Sequence, residues 1–328
     1  METTTTKSLD TAFKKDVYDG LNAYPKYLHS KYIYDKRGDR LFQDIMEMDE
    51  YYLTNCEFEI LESHKAAITE SFRNGPSGFD LIELGAGDGK KTRVLLDHMV
   101  QNNVNFTYRP IDISENAVNN LTANIYKDLP GLAIQPEVGE YFQVLKRLQK
   151  YNKRKKVIMV LGSNIGNLPH PRAIEFLTKL ASVLNKKDLI FMGFDQKKDP
   201  KVILDAYNDP AGITAAFNKN LLHRINRELG ANFELDKFSH WETYNPETGT
   251  AKSFLVAQED MEVSIDELPL SIKFSKWETI HTEISQKYDA NIIQWMCNES
   301  GLQIKEEYTD SREYYKDYIF CKGSFFSF

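Results

Sequence analysis

The 328-residue chain has few cysteines and lacks the signatures of several common active sites. Its three cysteines, Cys56, Cys297 and Cys321, are far apart and form no Cys-x-x-Cys pair, so neither a disulfide framework nor a zinc site is predicted. The seven histidines include no His-Glu-x-x-His motif, and no Gly-x-Ser-x-Gly elbow offers a nucleophile for acyl transfer. The sequence therefore argues against metal-dependent and serine-dependent hydrolysis.

An excess of basic residues and long apolar runs are also absent. The chain carries 41 Lys and Arg against 48 Asp and Glu, a formal charge of −7, which argues against nucleic acid or an anionic membrane as the main partner. No apolar run approaches the ~20 residues of a membrane span, and the amino terminus lacks a signal-peptide pattern. With 41% hydrophobic residues a sizeable core is expected. We expect a soluble, cytoplasmic protein.

A glycine-rich stretch at residues 79–92, FDLIELGAGDGKKT, organises the sequence. It predicts a short buried strand over 80–84, a glycine turn, and a helix over 90–99. Strand, glycine turn and helix present backbone groups to a cofactor at the carboxyl end of an open sheet. Strands and helices then alternate as far as Phe194, which predicts an α/β fold with a doubly wound parallel sheet and helices on both faces.

The spacing of Gly85, Gly87 and Gly89 discriminates among cofactors. A dinucleotide fingerprint requires a glycine at position 90, which is lysine, and a phosphate-binding loop requires Ser or Thr directly after Gly-Lys. The remaining pattern, acid-x-Gly-x-Gly-x-Gly with Glu83 as the acid, resembles the first motif of the class I S-adenosylmethionine (SAM) methyltransferases. A glycine-rich surface turn is the alternative.

A carboxylate at the end of the next predicted strand supports the cofactor hypothesis. Asp112 lies 23 residues after Gly89, about the distance at which a strand-terminal acid binds ribose hydroxyls. Asp112 alone would also fit an exposed turn. The glycine turn and the spaced acid together favour a Rossmann-like SAM-binding domain.

The alternation of strands and helices breaks after residue 196, which predicts two lobes of two segments each. The predicted SAM-binding domain comprises residues 61–196 and 288–328. The predicted α+β substrate-binding lobe comprises residues 1–60 and 197–287.

Three local patterns make further predictions. A capping box of Thr54 and Glu57 predicts that a helix begins at Thr54. Residues 132–138 are predicted to form a strand. Residues 302–308 and 317–323 are predicted to form a closing hairpin.

Longer segments, taken in order, resemble the histidine-specific N-α-methyltransferases of ergothioneine biosynthesis over nearly the whole chain. These segments are YDKRGDRLFQDIMEMDEYYLTNCEFEIL, LIELGAGDGKKT, VLGSNIGNL, DAYNDPAGITAAFNKNLLHRINRELGANFELDKF and HTEISQKY. The resemblance implies a monomeric enzyme that trimethylates the α-amino group of L-histidine to hercynine with three SAM molecules and no metal.

The resemblance also implies a set of site residues. The implied SAM contacts are Gly85, Gly87, Gly89, Lys91, Asp112, Glu140 and Tyr141, the last two near the adenine. The implied contacts to the substrate amine and carboxylate, taken as the catalytic set, are Tyr51, Gly162, Asn167 and Tyr207. The implied contacts to the imidazole are Tyr34, Glu283 and Ser285.

This chain departs from the family pattern at two places. Glu140-Tyr141 replaces the usual Asp-Phe pair, and Ser253 lies near a position where bacterial relatives carry a bulky apolar residue against the imidazole.

Two other functions stay open. One is methylation of another amino acid or aromatic amine, such as tryptophan, and the other is non-catalytic binding of SAM or an amino acid in partnership with another enzyme.

Overall fold

The computed structural model of the protein describes residues 11–87, 89–112, 115–151, 154–268 and 270–323. The chain forms two compact units of two segments each. Unit 1 comprises Met1–Tyr52 and Lys198–Ser285, and unit 2 comprises Leu53–Lys197 and Gln286–Phe328. The predicted first boundary, after residue 60, falls inside a continuous helix, Tyr52–Phe72.

The bounds of the described elements follow, in chain order. The helices are α1 (Ala12–Asn22), α2 (Lys36–Met46), α3 (Tyr52–Phe72), α4 (Lys90–Gln101), α5 (Glu115–Asp128), α6 (Tyr141–Tyr151), α7 (His170–Val183), α8 (Pro200–Tyr207), α9 (Ile213–Leu229) and α10 (Ala290–Ser300). The strands are β1 (Lys26–Tyr27), β2 (Phe79–Leu84), β3 (Phe106–Asp112), β4 (Glu137–Val138), β5 (Lys155–Val160), β6 (Leu189–Asp195), β7 (Phe238–Asn245), β8 (Thr250–Ala257), β9 (Met261–Ile265), β10 (Leu270–Phe274), β11 (Thr279–Gln286), β12 (Leu302–Thr309) and β13 (Tyr315–Lys322).

Unit 2 is built on a sheet whose order, within the described residues, is β12-β13-β6-β5-β2-β3-β4. Strands β6, β5, β2, β3 and β4 are parallel. The hairpin β12–β13 joins them antiparallel, with Tyr315 paired to Asp195. The predicted parallel sheet and the closing hairpin are therefore confirmed.

Both faces of this sheet are covered by helices, as predicted. Ile82 and Leu84 of β2 pack on one face with apolar residues of α6, α7 and α10. Phe79 and Leu81 pack on the other face with residues of α3, α4 and α5. The alternation along β2 follows from the two-residue period of a strand, which sends successive side chains to opposite faces.

Unit 1 is an α+β unit. Its sheet has the order β1-β11-β8-β7 within the described residues, and β9 and β10 form an antiparallel hairpin. The core contains Phe217, Leu221 and Ile225 of α9, packed with Leu255 of β8 and Ile280 of β11. The fold class is thus a class I methyltransferase-type α/β sheet with a second α+β lobe.

Two local predictions are wrong. Thr54 is not an N-cap, because α3 already begins at Tyr52, where Tyr52 and Leu53 are buried and packing fixes the first turn. Residues 132–138 form a strand only at Glu137–Val138, preceded by an isolated bridge at Ile134. Pro136 has no N–H to donate to a continuous ladder.

No helix in the described part of the chain has both the length and the apolar character that crossing a membrane requires.

Candidate functional site

In unit 2, three predicted site residues lie at the carboxyl ends of neighbouring parallel strands. Gly85 directly follows β2, Asp112 is the last residue of β3, and Gly162 lies two residues beyond β5. Strand β2 pairs with both β3 and β5, so these three ends share one edge of the sheet. This edge is where open α/β sheets bind their ligands.

The glycine turn after β2 is open on the side of Gly87. Gly85 and Gly87 both have positive φ, at +73° and +57°, a region that a side chain disfavours. A Cβ at Gly87 would meet nothing within 4 Å, whereas a Cβ at Gly89 would lie 2.6 Å from Leu121 Cδ1. Gly89 is therefore a packing glycine, and the backbone at Gly87 is accessible to a ligand.

Asp112 and Tyr141 are brought together by the turn that precedes α6. The Gly139 N–H donates to the Asp112 carbonyl at 3.0 Å, which fixes the start of α6 beside the end of β3. Burial, with the negative charge of Asp112 nearby, raises the pKa of Tyr141. The Tyr141 hydroxyl would lie 3.3 Å from a Cβ at Gly85, so Tyr141 faces the glycine turn.

Glu140 caps the first turn of α6. Its carboxylate accepts from the N–H groups of Phe142 and Gln143 at 3.3 and 3.2 Å. This is the favourable place for an anion at a helix N-terminus, and it gives Glu140 a structural role beside the predicted one. A carboxylate has lone pairs for further donors, so both roles are compatible.

Glu83, the acid of the glycine motif, ties the turn to its neighbours. It is buried and accepts hydrogen bonds from the hydroxyls of Thr92, in the first turn of α4, and Tyr108 of β3. Burial raises the pKa of Glu83, although both hydroxyls oppose that shift. The acid therefore acts through structure, because it links β2, β3 and α4.

Lys91 and Gly162 meet at a residue that the sequence did not assign to the site. Glu57 of α3 forms an ion pair with Lys91 Nζ and accepts the Gly162 N–H at 2.9 Å. The Gly162 amide is thereby engaged within the protein. A substrate amine would meet the carbonyl of Gly162, which can only accept.

Asn167, predicted to bind the substrate, ends the 3-10 helix Asn164–Asn167 and is half-buried. Asn164, which the sequence did not single out, lies closer to the glycine turns. Its Nδ2 donates to the Leu161 carbonyl at 3.0 Å and would lie 3.9 Å from a Cβ at Gly85 and 3.8 Å from one at Gly162.

These features fit SAM. An open glycine turn admits a ligand to the main chain, a strand-terminal carboxylate can accept from ribose hydroxyls, and an aromatic side chain can contact a base. Within the described residues, His, Cys, Asp and Glu form no group of three that could hold a metal ion.

In unit 1, the predicted imidazole-binding residues lie in an aromatic cluster. The Tyr34 ring contacts the rings of Phe42 and Phe217 edge-on, with centroids 5.6 and 5.4 Å away. Desolvation by the packed rings first, and then the negative charge of Glu283, raises the pKa of Tyr34 well above its usual value, although the residue as a whole is 36% exposed. Tyr34 is therefore a neutral hydroxyl group at physiological pH.

Three further predicted residues complete this cluster. The Tyr207 hydroxyl lies 2.7 Å from Ser285 Oγ, and the rings of Tyr51 and Tyr207 meet edge-on at 6.3 Å. Tyr51 and Tyr207 also contribute to the raised pKa of Tyr34. All five predicted residues of unit 1, Tyr34, Tyr51, Tyr207, Glu283 and Ser285, are thus brought together. The sequence missed Phe42 and Phe217, which look like ordinary apolar helix positions.

Ser253 is buried on β8 within a polar layer. Its hydroxyl donates to Glu242 at 2.6 Å, and its carbonyl accepts from the Thr282 hydroxyl at 3.1 Å. The same Thr282 proton is shared with Asn218 Oδ1, which lies 2.6 Å away. Because Thr282 directly precedes Glu283, this layer fixes β11 next to a predicted imidazole contact.

Comparison with known proteins identifies the family of the chain. Residues 13–322 match a family model described as a histidine-specific, SAM-dependent methyltransferase. The chain is 36% identical over 301 residues to histidine N-alpha-methyltransferase of Mycolicibacterium smegmatis and 35% identical over 300 residues to that of Mycobacterium tuberculosis, covering 91% of each chain in both comparisons. It is 27% identical over 302 residues to ergothioneine biosynthesis protein 1 of Schizosaccharomyces pombe, covering 90% of this chain and 39% of that one. The chain belongs to the SAM-dependent histidine-specific methyltransferase family.

Proposed function

We propose that this chain trimethylates the α-amino group of L-histidine with SAM as the methyl donor, giving hercynine. The observation that carries the proposal is the family match, which spans residues 13–322. The names of the Mycolicibacterium and Mycobacterium relatives support histidine as the substrate. The name of the Schizosaccharomyces relative supports a place in ergothioneine biosynthesis.

The cofactor belongs to unit 2 in this proposal. Asp112 accepts from the ribose hydroxyls, Glu140 and Tyr141 contact the adenine, and Lys91 and the turn of Gly85, Gly87 and Gly89 contact the rest of SAM. The nearness of Asp112, Tyr141 and Gly85 supports these assignments. When bound, SAM supplies a methyl group that its sulfonium activates.

The imidazole belongs to the cluster in unit 1. A neutral imidazole carries one N–H donor and one acceptor nitrogen, and neither can be left unpaired in a buried site without cost. Glu283 accepts the N–H, and a hydroxyl of Ser285 or Tyr34 donates to the other nitrogen. The raised pKa of Tyr34 supports its role, because a neutral phenol keeps its proton for donation.

Tyr51, Tyr207, Gly162 and Asn167 are assigned to the substrate's amine and carboxylate. The amine has to be unprotonated to react. Acceptors such as the Gly162 carbonyl orient its lone pair by accepting hydrogen bonds from its N–H groups. Holding two reactants in the correct geometry can lower a barrier by about 7–11 kcal/mol. The chain therefore needs no nucleophile of its own.

We further propose that the enzyme acts as a monomer in the cytoplasm.

Product analysis by mass spectrometry tests the function directly. The purified chain is incubated with SAM and L-histidine, tryptophan or phenylalanine in parallel. We expect mono-, di- and trimethylated histidine, with trimethylhistidine as the end product. Preferential methylation of tryptophan would favour the alternative substrate class. SAM binding without turnover of any amine would indicate a non-catalytic binding protein and contradict the proposal.

A further inference from the structure

Two buried carboxyl groups lie side by side in unit 2, outside the residues assigned above to SAM or histidine. The side chains of Glu57, on α3, and Asp317, on β13, are both fully buried, at 0% exposure. Asp317 pairs with Gly193 of β6 across the sheet. A Cβ at Gly193 would lie 2.4 Å from Glu57 Oε1 and 2.3 Å from the Tyr315 hydroxyl. The absence of a side chain at Gly193 therefore makes the space in which the Glu57 carboxylate lies.

Glu57 is surrounded by hydrogen-bond donors. The Gly162 N–H donates to both carboxylate oxygens at 2.9 Å, and the Tyr315 hydroxyl donates to Oε1 at 2.8 Å. Lys91 Nζ forms an ion pair with Oε2. An ionised carboxylate is the group that accepts from donors of this kind, and Lys91 balances its charge.

Asp317 has the opposite surroundings. Neither of its oxygens has a hydrogen-bond donor among the described residues. An ionised carboxylate buried in this way would be very costly, and such a group takes up a proton instead. Burial, and then the charge of Glu57, raises the pKa of Asp317 well above its usual range, although Lys91 opposes the shift. The nearby Asp195 has a counter-ion in Lys287 at 2.7 Å. A neutral Asp317 can donate its own O–H to Glu57.

We propose that Glu57, backed by the neutral carboxyl of Asp317, is a positioning residue for the cofactor site. One carboxylate holds the ammonium of Lys91 and the backbone of Gly162 at once, and Tyr315 and Asp317 hold that carboxylate from behind. The inference rests on the proposed function only in that Lys91 is taken as a SAM contact and Gly162 as a substrate contact. Lysine is a flexible side chain, so an anchored ammonium loses less freedom when a ligand binds.

Two conservative substitutions separate the roles of the two acids. In Asp317→Asn the amide N–H replaces the carboxyl O–H, so we expect the Kd for SAM to stay within about twofold of wild type. In Glu57→Gln an NH2 group faces donors and Lys91 loses its anion. We expect the Kd for SAM to rise by about tenfold or more, as for the loss of a charge-assisted hydrogen bond. The matched control is Glu62→Gln on the exposed side of α3, where Glu62 pairs with Lys65.

Calorimetric titration with SAM and infrared spectroscopy at neutral pH are the measurements. The infrared spectrum of wild type should contain the C=O stretch of a protonated carboxylic acid, and that band should be absent from Asp317→Asn. A wild type without the band, or an Asp317→Asn variant that loses SAM affinity as strongly as Glu57→Gln, would overturn the neutral role of Asp317. Wild-type SAM affinity in a folded Glu57→Gln would overturn the positioning role.

A stability comparison covers the case in which Glu57→Gln fails to fold. Lys91→Met leaves the charge of Glu57 buried without its counter-ion, so the double variant Lys91→Met/Glu57→Gln should melt at a higher temperature than Lys91→Met. A double variant no more stable than Lys91→Met would contradict the pairing. None of these measurements uses histidine. A wild type that binds SAM but leaves histidine unmethylated would refute the proposed function and leave this inference standing.

Discussion

Unit 2 buries lysines against carboxylates, whereas the cluster of unit 1 gathers hydroxyls and aromatic rings near Glu283. Lys156 lies 2.7 Å from Asp188, and each side chain is 1% exposed. In unit 1, Tyr207 and Ser285 share a hydrogen bond, and Tyr34 packs on neighbouring rings. Buried ion pairs fix a frame, because removing one partner is costly whatever ligand is present. The hydroxyl groups of the unit 1 cluster carry no charge, so replacing them should cost less stability, and they can serve recognition. Stability and substrate choice should therefore respond to different mutations.

The largest effect should come from breaking a buried pair in unit 2. Lys156→Met leaves Asp188 buried without its counter-ion, which should lower the free energy of unfolding by about 3–5 kcal/mol. Urea denaturation measures this, with Lys65→Met on the surface of α3 as the control. The preference for histidine over tryptophan should not change in the folded fraction. A change in that preference would contradict the expectation that stability and substrate choice respond to different mutations.

In unit 1, Glu283→Ala should alter substrate choice while the fold persists. Losing the carboxylate that accepts the imidazole N–H should lower kcat/KM for histidine by at least ~100-fold, since sites built on such a bond discriminate strongly. The kcat/KM for tryptophan and for phenylalanine should stay the same or rise. Kinetics at saturating SAM test this, with Glu247→Ala in an exposed turn as the control.

Asn167→Ala provides the contrast to Glu283→Ala, because the amine and carboxylate are common to all amino acids. It should reduce activity toward histidine and tryptophan by similar factors. If Glu283→Ala lowered kcat/KM for histidine and for tryptophan by the same factor, Glu283 would have a structural role. Histidine specificity would then have to come from elsewhere in the cluster.

Asp112→Ala should weaken SAM binding without unfolding unit 2. One carboxylate at the end of β3 is lost, and a charged hydrogen bond contributes about 1.5–3 kcal/mol. Calorimetric titration measures the affinity, and Asp128→Ala, at the exposed end of α5, is the control. An unchanged affinity in a folded variant would contradict the ribose assignment.

Acid should destabilise unit 1 through His240. Burial lowers the pKa of His240 from 6.5 to about 4. Between these values the unfolded chain binds a proton that the folded chain does not, so stability falls as the pH is lowered from about 6.5 toward 4. The melting temperature of His240→Gln should depend less on pH over this range than that of wild type. If the melting temperatures of His240→Gln and wild type changed with pH in the same way, other groups would control the acid sensitivity.

The smallest effect is expected from a chelator. Methyl transfer to an amine needs positioning and an unprotonated nitrogen, so activity should survive EDTA and rise with pH toward the pKa of the substrate's amine. Loss of activity in EDTA, with recovery on addition of a divalent ion, would show that the reaction requires a metal ion.

Local patterns in the sequence were sufficient for the frame of the cofactor unit. Strand β2, its glycine turn and Asp112 follow from the spacing of apolar residues, glycines and one acid, because strand period and turn chemistry act over a few residues. The five residues of the unit 1 cluster are far apart in the chain, and only the family resemblance linked them.

Glu57 shows what local reasoning could not supply. Its position three residues after Thr54 predicts a capping box, yet its carboxylate binds Gly162, 105 residues away in sequence, and Tyr315, 258 residues away. Asp317 likewise reads as an ordinary strand residue. Tertiary contacts override local propensity here, because the role of a buried acid depends on the hydrogen-bond donors that the fold brings to it.

The position of β13 in the sheet also has a consequence for synthesis of the protein. Strand β6 is complete at Asp195, but its antiparallel partner Tyr315 is translated 120 residues later. Until then the edge of β6 has no neighbour on that side, and such edges invite pairing with other chains. Tyr315 and Asp317 lie on the same late strand, so the carboxylate of Glu57 gains these two neighbours only after β13 has been translated. Ribosome-bound chains that stop before β13 should therefore be recognised by chaperones and should not yet bind SAM.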